Sequence, residues 1–142
     1  DPENPVAISD GQLTEWRDSG VVEWWGRRED MPGVLAQAHI VCLPSSYREG
    51  LPKVLLEAAA CGRPIITTDV PGCREVVING YNGLLVPPRN AAALAASIKQ
   101  LVEDPEQRVR MGGRGREFVE AEFSDDKVVQ QTLAVYRELL TQ

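Results

Sequence analysis

Two glutamates, Glu49 and Glu57, stand eight positions apart in the stretch PSSYREGLPKVLLEAAACGRP, Pro44 to Pro64, on either side of a Gly50-Leu51-Pro52 step. A carboxylate accepts two or more hydrogen bonds, which suits it to gripping a pair of neighbouring hydroxyls. Between the two glutamates the pattern turns helical. Pro52 fits the first helical position, where a missing N–H costs nothing, and Gly62 fits the position just past the end. The first amides of such a helix, those of Lys53 and Val54, have no acceptor within it, and its dipole is positive there. An anion such as a diphosphate fits that end. Gly50 lets backbone come close to a ligand, and Glu57 lies about 7 Å along the axis from Pro52. The pattern therefore suits a ligand carrying both diols and phosphates, as a nucleotide sugar does. The competing reading makes Glu49 a solvated loop residue and Glu57 an exposed helical one. Against it, Leu55, Leu56, Ala58, Ala59 and Ala60 leave the helix little polar surface, and a carboxylate in apolar surroundings needs a partner.

These residues must be held by a scaffold, and its elements alternate. Val21-Val22-Glu23-Trp24-Trp25 is branched and aromatic and ends at Gly26, which predicts a strand. Met31 to Ala38 has helical spacing. Ile40 to Leu43 is a continuous apolar run, the pattern of a strand buried on both faces. After the helix over 52–61, Pro64 to Thr68 predicts the next buried strand. Cys73 to Ile78 reads as a short helix, Gly80 to Gly83 as a turn and Leu84 to Val86 as a last strand. Helices follow. Leu94, Ile98, Leu101 and Val102 are expected on one face, and Asp104-Pro105 breaks one helix and starts another. The final helix, N-capped by Ser124, is expected to pack through Val129, Thr132, Leu133, Tyr136 and Leu140. Strands separated by helices predict an α/β, Rossmann-like, doubly wound parallel sheet followed by C-terminal helices. In such a sheet ligands collect outside the carboxyl ends of the strands, and Pro44 to Leu51 is the loop at one of them.

The 142 residues are expected to form a single domain able to bury a sizeable core. A net charge of -6 argues against a general nucleic-acid binder. Three cysteines and one histidine offer no metal-site spacing; Cys42, Cys61 and Cys73 are read as reduced thiols of a cytosolic protein. No run approaches a membrane span, and no signal peptide is visible. The opening Asp1-Pro2-Glu3-Asn4-Pro5 lacks an initiator methionine, so a fragment of a longer protein is expected.

The segment from Leu43 to Pro88 resembles the donor-binding half of the family-4 glycosyltransferases, retaining enzymes of the two-domain GT-B fold. Their Glu-x7-Glu signature is matched by Glu49 and Glu57, and the Ala-x-Gly-x-Pro segment by Ala60, Gly62 and Pro64. Gly72 to Glu75 matches the Gly-x-x-Glu turn, and Asn82 to Val86 matches Asn-Gly-Leu-Leu-Val. Gly26, Asp30, Met31 and Pro32 upstream, and Asp104-Pro105, Met111-Gly112 and Tyr136 downstream, fit the same family. The resemblance implies transfer of a sugar from a nucleotide diphosphate to an acceptor hydroxyl with retention at the anomeric carbon. Glu49 would meet the donor sugar at the reacting carbon, and Glu57 the ribose hydroxyls. Backbone at Gly50, Leu51, Lys53 and Val54 would cradle sugar and diphosphate, and Arg27 or Arg28 would flank the base. Family members often have glycine where Pro52 stands, so one N–H donor is lost here. The family implies no catalytic metal or other cofactor. It also implies a lipid-linked or glycan acceptor in bacterial surface polysaccharide or lipopolysaccharide synthesis, and a cytoplasmic enzyme peripheral to the inner membrane.

The acceptor-binding N-terminal domain and the first two βα units of the donor domain, with their phosphate-binding Arg and Lys, are expected to lie outside residues 1–142. The chain alone is then expected to be inactive and to self-associate through open strand edges. The alternative is a nucleotide-sugar-binding module without turnover. A third reading, an interaction domain without a ligand, is disfavoured by the apolar setting of Glu57. Gly112-Gly113-Arg114-Gly115 looks like a phosphate loop but follows no strand and reads as weak helix. His39 is expected to open a buried strand, Trp16, Trp24 and Trp25 to be core, and the arginines at 108, 110, 114 and 116 to form a solvated face.

Overall fold

A computed structural model describes residues 8–47 and 50–140. The chain divides into two compact units, Asp1–Asp30 and Met31–Gln142. In the first, helix α1 (Asp10–Asp18) is capped by Ser9, whose hydroxyl accepts from the Gln12 amide at 3.3 Å. No residue of α1 is buried. The strand expected at Val21–Trp25 does not form, and the tryptophan core does not either. Trp16, Trp24 and Trp25 are exposed, as are Val21 and Val22. Local β propensity is not enough: a strand exists only when a neighbour takes its backbone N–H and C=O groups. The Trp25 indole instead donates to the Glu23 carboxylate at 2.9 Å.

The second unit has the expected α/β alternation. Helix α2 (Met31–Gln37) leads to β1 (Val41–Leu43), α3 (Lys53–Ala60), β2 (Ile65–Thr68), α4 (Cys73–Val76) and β3 (Gly83–Val86). Helices α5 (Ala91–Glu103), α6 (Pro105–Glu122) and α7 (Asp125–Leu140) follow. The strands form one parallel sheet in the order β1-β2-β3, with Val41 opposite Ile65 and Ile65 opposite Gly83. Every residue of β2 is buried, as its apolar run predicts for a central parallel strand.

Helices cover both faces of this sheet. Successive strand side chains point to opposite faces, so Ile65 packs with Leu35, Leu55, Ala58 and Val119, from α2, α3 and α6. Its neighbour Ile66 packs with Val86, Leu101, Met111 and, at the margin, Leu94 and Ile98 of α5. Val102 is exposed and leaves the face expected of it. β1 was expected to be buried on both faces, but Cys42 is exposed and Val41 and Leu43 are half-buried. Among the described residues β1 is an edge strand, with a neighbour only on the β2 side. His39 is likewise exposed, just before it.

Helix α3 ends in a Schellman motif. The Gly62 amide donates to the Ala59 carbonyl at 2.8 Å and the Arg63 amide to the Ala58 carbonyl at 2.9 Å. Gly62 has φ 65°, the left-handed turn the sequence predicted for that glycine. The Gly112-Gly113-Arg114-Gly115 run is helix, as expected, but weakness is not its role. A Cβ on Gly112 would sit 2.0 Å from the Gly62 carbonyl oxygen. Glycine there lets α6 lie against the turn that closes α3.

The face expected to dock the last helix does not do so. Val129, Leu133, Tyr136 and Leu140 are all exposed, and α7 buries no residue.

Candidate donor site

The loop after β1 is held to the sheet by two hydroxyls that the sequence reading did not single out. Thr67 donates to the Leu43 carbonyl at 2.7 Å, and Thr68 donates to the Ser45 carbonyl. Both threonines are buried, and so is Ser45. Their signal in the sequence was two polar residues closing an otherwise apolar strand. A buried hydroxyl needs a partner, and here the partner is the backbone of the loop that leads to α3.

That loop runs to Pro52, which is the N-cap of α3 rather than its first helical residue, with φ -67° and ψ 112°. The Pro52 carbonyl accepts the Leu55 amide at 3.0 Å. Lys53 and Val54 are the first two residues of the helix, as expected, so their amides belong to the turn that finds no acceptor within it. Leu51 is exposed, and a Cβ built on Gly50 would meet nothing within 4 Å. Internal packing does not require glycine at 50, and the space beside it is open to a ligand. Glu49 lies outside the described residues. Arg27 is exposed in the first unit; the second unit holds Gly50, Leu51, Lys53, Val54 and Glu57 together on one loop and helix.

Glu57 has the partner its apolar neighbours called for, in a form the sequence reading did not anticipate. Lys53 Nζ lies 3.5 Å from Glu57 Oε1, one helical turn away, and the Glu57 side chain stays 33% exposed. The Lys53 side chain is 86% exposed, so the pair is a weak surface contact. Its order is also the poorer one, because lysine precedes glutamate. Lys53 occupies the positive end of the dipole, where a cation is disfavoured, and the first turn of α3 contains no acid.

Two further turns brace the sheet. Gly72, with φ 92°, donates its amide to the Glu75 carboxylate, which gives a local reason for the Gly-x-x-Glu spacing. Buried Asn82 accepts from the Ile78 amide at 2.7 Å and donates to the Val76 carbonyl at 2.9 Å. Sequence reading placed it in a turn and at the head of the Asn-Gly-Leu-Leu-Val match, without these bonds; its neighbour Tyr81 stacks beneath Arg114 of α6 at 4.9 Å. Cys42 is exposed at the sheet edge, yet desolvation by the surrounding protein pushes its thiol up, away from a reactive thiolate. Among the described residues no cluster of His, Cys, Asp or Glu could hold a metal ion. No described helix is long and apolar enough to cross a membrane.

A loop and helix N-terminus at the carboxyl end of a parallel strand, built on this motif series, can be matched against known proteins. Residues 17–118 match the family model described as glycosyl transferases group 1. The chain belongs to this family. A group 1 relative, the N,N'-diacetylbacillosaminyl-diphospho-undecaprenol alpha-1,3-N-acetylgalactosaminyltransferase of Campylobacter jejuni, is 34% identical over 134 residues, 94% of this chain and 34% of the relative. Glycogen synthase of Mycobacterium tuberculosis is 36% identical over 107 residues, 75% of this chain and 26% of the relative. Among solved structures, Anabaena Alr3699/HepE in complex with UDP superposes with a TM-score of 0.84 at 26% identity, over 90% of this chain and 35% of that one. Sucrose-phosphate synthase of Thermosynechococcus elongatus gives 0.83 at 34% identity, over 93% and 33%. The chain spans about a third of the length of the curated relatives it matches. Its parallel three-stranded α/β architecture is that of these GT-B glycosyltransferases.

Proposed function

We propose that this chain is the donor-binding part of a retaining, family-4 glycosyltransferase, which moves a sugar from a nucleotide diphosphate to an acceptor hydroxyl. The observation that carries the reading is the start of α3. A lysine stands at the positive end of the helix dipole with no acid in the first turn, and its bond to Glu57 is long and exposed. That arrangement is locally unfavourable, and an anion at the free amides of Lys53 and Val54 would make it favourable. In this reading Glu57 turns from Lys53 to the ribose hydroxyls. Glu49 meets the donor sugar at the reacting carbon, and backbone at Gly50 and Leu51 cradles it. No metal is required, because the α3 amides, together with the Arg and Lys expected outside this chain, carry the diphosphate charge. The HepE complexes with UDP and UDP-glucose support a nucleotide-sugar ligand for this fold.

The Campylobacter relative, named for a diphospho-undecaprenol substrate, supports a lipid-linked acceptor. With such an acceptor, the proposed place is bacterial surface polysaccharide synthesis, in the cytoplasm at the inner membrane. The acceptor would be held by a domain outside this chain, so residues 1–142 alone bind donor weakly and turn over nothing. The exposed β1 edge would then favour self-association.

The test is a full-length assay with a panel of nucleotide sugars. Glu57→Gln is expected to weaken donor binding at least about tenfold, as loss of a charge-assisted hydrogen bond does. The product should keep the donor's anomeric configuration by NMR. An inverted product, or donor affinity untouched by both Glu57→Gln and Lys53→Glu, would sink the proposal.

A further inference from the structure

The carboxyl ends of all three strands border a second cavity, of about 250 Å³, which the donor reading does not use. Pro44 after β1, Val86 at the end of β3 and Leu94 of α5 make its walls apolar. Two of the polar residues lining it are already committed. Thr68 donates its hydroxyl to the Ser45 carbonyl, and the Asn90 amide oxygen accepts the Ala93 N–H at 3.0 Å. Two are not: among the described residues Ser46 and Arg89 have no hydrogen-bond partner, and Arg89 has no acid paired with it. Asp69, next along from Thr68, is paired with Arg74 at 3.0 Å.

Arg89 also has φ 58°, among the described residues the one non-glycine in the left-handed region. That conformation is strained for an ordinary L-residue and persists where the surroundings dictate it. Here Pro87 and Pro88 stiffen the chain before it, and Asn90 is tied into the helix cap after it. The result is an uncommitted cation fixed at the rim of an apolar hollow.

We infer that this cavity binds a ligand with a compact apolar body and an anionic head, an alkyl phosphate in chemical type, with Arg89 holding the head. A bare anion would leave the walls wet, and a neutral apolar ligand would leave the guanidinium unused. Neither Lys53, Val54 nor Glu57 lines the cavity, which shares with the donor site only the loop after β1, through Pro44 and Ser46; the inference does not depend on the donor reading.

An NMR titration of the chain with octyl phosphate, inorganic phosphate and octyl glucoside tests it. Octyl phosphate should shift the amides of Val86 and of residues 89–94 saturably, and bind at least about tenfold tighter than inorganic phosphate, from the burial of its methylenes. Arg89→Gly, which accepts the left-handed φ, should lose about tenfold in octyl phosphate affinity, whereas Arg89→Lys keeps most of it. Shifts scattered over the surface, octyl glucoside binding as tightly as octyl phosphate, or an unchanged affinity in Arg89→Gly would overturn the inference. UDP separates the two readings. It should shift residues 53–57; finding its primary shifts at Arg89 would merge the cavity with the donor site and also overturn the inference.

Discussion

Helices α6 and α7 are consecutive and nearly equal in length, at 18 and 16 residues, but only α6 is packed. α6 is rich in arginine and glycine, yet it buries Met111, Gly112, Gly115 and Val119. α7 has the cleaner apolar stripe and buries nothing. An apolar face shows which side of a helix would gain from burial; it does not supply the surface that buries it. α6 has that surface in the closing turn of α3, and it meets it through glycines that a propensity scale scores as weaknesses.

The largest test of this contrast is Gly112→Ala. Helix propensity alone predicts a gain of about 1 kcal/mol. The contact with the Gly62 carbonyl predicts a net loss of ~2 kcal/mol from overpacking against backbone that cannot yield. Urea unfolding decides between them, and a stabilised variant would break the account of α6. Next comes Asn82→Ala, which leaves the Ile78 amide and the buried Val76 carbonyl without their bridge. It should lose about 1–3 kcal/mol, with faster hydrogen exchange across residues 76–85. The smallest effect sharpens the other side. Leu133→Ala with Tyr136→Ala on α7 should change the stability of this chain by under about 0.5 kcal/mol, as exposed substitutions do. A loss as large as that of Gly112→Ala would mean that α7 is packed in solution.

The legible elements were those whose cause is local. The buried run of β2, the glycine turn closing α3 and the alternation of strands and helices all followed from neighbouring residues. So did the start of α3 with its free amides and the pairing of motif glutamate with helix, which placed Lys53, Val54 and Glu57 together. What was not legible depends on distant chain. Thr67 and Thr68 read as strand ends until Leu43 and Ser45 arrive to accept their hydroxyls. The left-handed turn at Arg89 was not foreseen, because a backbone angle cannot be seen in a residue type. Val21–Trp25 read as strand and core because its composition is that of one, but no ladder partner meets it among the described residues.

By itself the sequence determined the periodicities, the turn chemistry and the motif series Glu49, Glu57, Gly62, Gly72 and Glu75, and with them the fold class and the family. Those are properties of residues within one or two turns of each other, where sterics and hydrogen bonding act over a few ångströms. Tertiary structure alone decided which apolar faces are covered, which glycine is a contact and which hydroxyls hold the site loop. Burial and buried hydrogen bonds join residues far apart in the chain, and no local pattern specifies the second partner.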